Sequence, residues 1–127
     1  MDNEELDQYL EAQSNNLSRR DFFELIIDML ENNPSQEARR VLEIYLMTYS
    51  HVDEDRVARY LEKLLYDPAP LNREFAAFKL SILAREPDSI AYNILRDFLE
   101  EEPVEDKIWE ILKERFLRLF PDENNQD

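Results

Sequence analysis

One histidine, thirty carboxylates, and neither cysteine nor glycine set the chemistry open to this 127-residue chain. His51 is the single imidazole. It has no cysteine or second histidine with which to hold zinc, so it is read as a loop residue. Without a thiol there is no cysteine nucleophile and no disulfide framework. Without glycine, phosphate-cradling loops, nucleophile elbows and dinucleotide fingerprints are excluded, because each needs close backbone approach or a positive φ. Carboxylates can do acid–base work only where a shielded pocket shifts their pKa values, and no pair among the thirty is singled out. Asp53-Glu54-Asp55 lacks the glycine and distal glutamate of a calcium loop. Acids at the start of a helix, favoured by its dipole, explain that run better. No catalytic residue, metal or cofactor is expected, and the chain is read as a non-enzyme.

Recognition is the remaining chemistry, and it concentrates near the end of the chain. Glu100-Glu101-Glu102 with Glu105 and Asp106 is the densest acidic cluster. In the following stretch, residues placed at 100° steps put Trp109, Ile111, Leu112, Phe116, Leu119 and Phe120 over about half the circumference of a helix, with Leu117 beyond. A terminal helix needs only one buried face. The broad stripe therefore suggests aromatic anchors of the hot-spot type. The interface expected on these grounds comprises Trp109, Lys113, Phe116 and Phe120 with Glu101, Glu102 and Glu105. Its occupant would be a protein partner or, as a homodimer through the last helix, a second copy of the chain.

Helices must position these groups. Leucine, glutamate and arginine are abundant and favour helix, and no run of eighteen apolar residues exists to span a membrane. Pro34, Pro68 and Pro103 recur at intervals of 34 and 35 residues, and Pro87 and Pro121 at 34. Before each proline of the first set lie apolar pairs at helical spacing: Leu25-Ile26 with Met29-Leu30, Tyr60-Leu61 with Leu64-Leu65, and Ile94-Leu95 with Phe98-Leu99. That period predicts stacked helical hairpins. The fold expected is all-α, a short right-handed α-solenoid of about three hairpins plus an N-terminal helix.

The expected organisation is an acidic N-terminal helix in 1–17, hairpins in 18–52, 53–87 and 88–121, and a disordered tail in 122–127. The first helix runs from Asn3 to about Gln13, with Leu6, Tyr9 and Leu10 on one face, and Ser14 to Asn16 break it. Ser18 caps the next helix. Asn33 is expected to cap the one after it, with Pro34 at the first helical position. Phe75, Phe78 and Ile82 form a second stripe beside Ala76, Ala77, Leu80, Leu83 and Ala84. A helix apolar on two faces is expected to have neighbours on both. The last hairpin begins around Pro87-Asp88, and the last helix runs from Val104 to about Phe120.

Asp67-Pro68-Ala69-Pro70-Leu71-Asn72-Arg73-Glu74-Phe75-Ala76-Ala77 resembles the turn and second helix of a HEAT repeat. The resemblance lies in the Asp-Pro, the following apolar residue and arginine, and the small residues. Asn72 stands where valine is common. The first and third hairpins are weaker matches, with Asn33-Pro34 and Glu102-Pro103 at the turn. The specific motif covers about twenty residues, whereas the periodicity covers 18–121. The resemblance implies a scaffold role for Asp67 and Arg73, and a superhelix whose second helices line a surface used for binding proteins.

The net charge is −15. Residues 1–17 carry five acids and no base, and residues 100–127 ten acids and four bases. A chain of this charge is expected to be soluble, to avoid nucleic acid and anionic membranes, and to draw a basic partner toward its ends. Arg39, Arg40, Arg73, Lys79, Lys107, Lys113, Arg115 and Arg118 lie on second helices. Glu43, Glu74, Glu110 and Glu114 interleave with them, so a DNA groove is rejected. The function expected is a small HEAT-like interaction module, an adaptor or scaffold in the cytoplasm. The alternative is an acidic inhibitor, such as an immunity or anti-defence protein that blocks a basic nucleic-acid-binding partner.

Overall fold

In a computed structural model, residues 2–32, 34–101 and 107–121 are described, the side chain of Ile108 excepted. They form seven α-helices: α1 (Asn3–Asn16), α2 (Arg19–Glu31), α3 (Gln36–Thr48), α4 (Glu54–Leu65), α5 (Pro70–Leu83), α6 (Ile90–Glu100) and α7 (Lys107–Leu119). A 3-10 turn at Ser50–Val52 joins α3 to α4. The described residues contain no strand. The packing of α2 on α3 and of α6 on α7 is consistent with a helical repeat. The chain divides into two compact units, Met1–Glu54 and Asp55–Asp127.

Serine hydroxyls start three of the helices. Ser18 Oγ accepts from the Asp21 amide, Ser35 Oγ from Ala38 and Ser89 Oγ from Tyr92. Each satisfies a donor that the first helical turn leaves open. The cap of α3 is therefore Ser35, two residues beyond the Asn33 expected, and Pro34 lies outside the helix. The same logic moves the start of α6 from Pro87-Asp88 to Ile90. Asp88 takes a left-handed φ of 70° in the preceding turn. Aspartate tolerates that region better than most residues, so the turn closes in a chain without glycine.

In the first unit, α1 packs on α3 and α2, and α2 packs on α3. Leu6 and Leu10 bury one face of α1, while Tyr9 remains partly exposed. The helix continues through Ser14 to Asn16 rather than breaking there. Ser14 Oγ bonds back to the Glu11 carbonyl, so its hydroxyl is satisfied within the helix. The Phe22 ring of α2 meets Tyr45 and Tyr49 edge-on at 5.7 and 5.0 Å. Glu43, expected on an open surface, is instead buried at 1% exposure, with the Arg40 guanidinium 4.0 Å away.

In the second unit, α5 packs on both α6 and α7, and α6 packs on α7. Val57, Ala58, Leu61, Leu64 and Leu65 bury one face of α4. Just beyond it the Tyr66 ring meets Phe98 of α6 at 5.8 Å. The turn before α5 is held by polar contacts. Asp67 Oδ2 accepts from the Ala69 amide at 2.9 Å and from the Asn72 side chain at 3.1 Å. Arg73 Nη1 donates to the carbonyls of Asp67 and Pro68. Asn72 is buried. Its amide needs a partner there, and the Asp67 carboxylate supplies one that valine could not use.

Candidate interaction groove on α5 and α7

Two features of sequence bring α5 and α7 together. Ala76 and Ala77 are buried on α5 and let a neighbouring backbone approach. Leu112 and Phe116, four residues apart on α7, are buried too. Phe116 and Phe120 then cluster with Tyr92 of α6, with Tyr92–Phe116 at 5.3 Å, Tyr92–Phe120 at 4.7 Å and Phe116–Phe120 at 5.1 Å. This cluster fixes the rotation of α7 about its own axis. With Leu112 and Phe116 inward, Ile111 is turned outward beside Phe78, and Leu119 is exposed as the last residue of the helix.

The result is a groove of about 380 Å³ lined by Phe78, Ile111, Glu114, Arg115, Arg118 and Leu119. A recess of about 30 Å³ continues it past Ala77 and Leu112 to Glu74, sharing Phe78 and Ile111. Ile111 is 51% exposed, Leu119 50% and Ile82, one turn beyond Phe78 on α5, 49%. The second stripe of α5 is thus not covered along its length, since Ile82 stays exposed although α5 has two helical neighbours, α6 and α7. Packing of α7 uses the alanine side of α5 and leaves Ile82 at the margin. Leu71, in the first turn of α5, is also exposed.

Charge edges the apolar floor. The Arg115 guanidinium carbon lies 5.7 Å from the centroid of the Phe78 ring, within range of a cation–π contact. Arg118 Nη2 is 3.0 Å from Glu114 Oε1, one turn away. The Arg118 side chain is largely exposed, whereas the Arg115 head lies over the Phe78 ring.

The residues expected to form the interface are placed differently. Phe116 is 4% exposed and belongs to the core of the second unit. Phe120 packs on it and on Tyr92. Trp109 is partly buried, with Lys113 Nζ 4.7 Å from its ring centroid, an i,i+4 pair on α7. Glu101 Oε1 accepts from the Tyr66 hydroxyl at 3.3 Å. Burial first, then the nearby Glu101 charge, raises the pKa of that tyrosine. Glu102 and Glu105 lie outside the described residues, as do Val104, Pro103 and the tail 122–127. In the sequence the groove residues stand out only as members of apolar stripes or as bases and interleaved acids on second helices. The i,i+4 spacing of Leu112 and Phe116 marks the inward side and separates Ile111 and Arg115 from it, but not Leu119, which lies within about 20° of Leu112 at 100° per residue and is exposed as the last residue of the helix.

Other chemistries find no assembled site. The described residues contain no group of three or more histidine, aspartate or glutamate side chains that could hold a metal ion. His51 is exposed, its ring stacked at 6.4 Å on Tyr49. No helix among the described residues is long and apolar enough to cross a membrane. Compared with known proteins, the chain matches no protein-family model, no curated protein and no solved structure.

Proposed function

We propose that this chain is a non-catalytic protein-interaction module, a small adaptor or scaffold built from three HEAT-like hairpins. The observation that carries the reading is the groove on α5 and α7, where Ile111 and Leu119 stand half-exposed beside Phe78. Scattered exposed apolar residues are ordinary, but a contiguous row edged by charge is the usual form of a binding surface. The scaffold role that the resemblance implies for Asp67 and Arg73 is in keeping with the Arg73 guanidinium donating to the Asp67 carbonyl.

The test uses the full chain as bait in native extract, beside an Ile111→Ser/Leu119→Ser variant of equal helicity by circular dichroism. A partner retained by the wild type and lost by the variant is the expected result. Capture of nothing above background, or equal capture by both baits, overturns the reading.

An acidic inhibitor of a basic partner is the second reading. It is favoured by α1, whose exposed Glu4, Glu5, Asp7 and Glu11 are accompanied by no base. Its signature would be binding that weakens steeply with salt.

A further inference from the structure

The α5–α7 groove differs in charge from the chain around it. Together α5 and α7 carry six basic residues, Arg73, Lys79, Lys107, Lys113, Arg115 and Arg118. Against them stand three acids, Glu74, Glu110 and Glu114, in a chain whose net charge is −15. At the groove itself Arg115 and Arg118 are three residues apart, and Glu114 is the one acid among the described residues that line the larger cavity. Arginine suits this position, because its planar fork can bind a carboxylate while its stem covers apolar surface. A partner flanked by lysine or arginine would meet Arg115 and Arg118 there, with Arg118 already paired to Glu114, so the edge keeps a net positive charge of one. One flanked by aspartate or glutamate would complete the edge.

The floor sets the form of the occupant. Ile111 to Leu119 spans roughly 12 Å along α7, about two helical turns. An amphipathic helix fills such a length with apolar side chains at i, i+4 and i+7 or i+8. Asp122 to Asp127 carry no aliphatic or aromatic side chain and cannot supply those anchors. The apolar face of α1 cannot either, since Leu6 and Leu10 are already buried within the first unit. From these observations we propose that the groove binds an acidic amphipathic helix of a partner protein, with its apolar face on Phe78, Ile111 and Leu119 and its carboxylates on Arg115 and Arg118. The inference rests on the interaction-module reading and names the chemistry of the partner. It also predicts a shallow salt dependence. Salt weakens the arginine contacts but screens the repulsion between the partner and the remaining negative charge.

The test is fluorescence anisotropy with the full chain and two labelled helical peptides of about 15 residues. Both carry leucine at i, i+4 and i+8, and one has glutamate, the other lysine, at the flanking positions. The glutamate peptide should bind at least about tenfold more tightly than the lysine peptide. Arg115→Glu/Arg118→Glu should reverse the order, and Ile111→Ser/Leu119→Ser should weaken both peptides, each at unchanged helicity. Equal or tighter binding of the lysine peptide overturns the inference, as does no saturation by the glutamate peptide at about 1 mM. Binding of dodecanoate that depends on Arg115 and Arg118, with no peptide bound, assigns the groove to an anionic amphiphile and overturns it too. Should a partner captured from extract be lost by the apolar variant yet retained by the charge-reversed one, the interaction module stands and the acidic helix falls.

Discussion

Tyr45 shows how a single side chain ties α1 into the first unit. Its hydroxyl donates to Asp7 Oδ1 at 2.9 Å, joining residues 38 positions apart. Burial, and then the bond to the Asp7 carboxylate, pushes its pKa up to about 12 from 10.0. An unfolded Tyr45 ionises near pH 10, whereas the folded one holds its proton to about pH 12. Between those values the unfolded chain binds fewer protons, so stability falls as pH rises. The contribution is complete below pH 10 and is lost through pH 12. Tyr45→Phe should cost about 1 kcal/mol at pH 8. In urea denaturation its stability should then fall less than the wild type's as pH is raised toward 11. Equal losses in the two proteins would mean that the Tyr45–Asp7 bond does not form in solution.

Within α7, rotation separates Ile111 from Leu112 and Phe116, and Leu119 is exposed as the last residue of the helix. Deleting a buried aromatic ring leaves a cavity in a close-packed interior. Phe116→Ala should therefore cost about 3–5 kcal/mol, while Leu119→Ser should change stability by less than about 0.5 kcal/mol. Thermal melts followed by circular dichroism compare the two directly, and a larger loss for Leu119→Ser would reverse the assignment of buried and exposed residue. Most of the helices were legible in the sequence, because apolar pairs at helical spacing and serines at their starts are local signals. The cap at Ser35 rather than Asn33 shows the limit. Both residues can cap, and the choice depends on where the chain leaves α2 to begin α3.

The charge is a property of the entire chain. At −15 it repels itself in the compact state. Adding salt to about 0.5 M shortens the screening length below that at physiological ionic strength. The melting temperature should therefore rise by a few degrees relative to low salt, and a fall would show that attractive surface pairs outweigh the repulsion. The same charge leaves the bases on α5 and α7 as an exception. Under the proposal above, a groove edged by Arg115 and Arg118 would select its partner more sharply than a neutral one.

The amino-acid sequence alone determined the all-helical class, the absence of thiol chemistry and glycine-loop motifs, and the large negative charge. These follow from composition, from 3.6-residue periodicity and from capping, all of which act over a few residues. It also placed Trp109, Phe116 and Phe120 together on one helix as anchors for a partner. Only the tertiary structure decided which of those rings was already occupied. Tyr92, from a different helix, fills the space that Phe116 and Phe120 would otherwise offer. It also decided that Glu43 is buried and that Phe78, Ile111 and Leu119 meet at one groove. Contacts between helices depend on how each is rotated against its neighbour. That rotation is set by packing across the core, where side chains distant in sequence compete for the same volume.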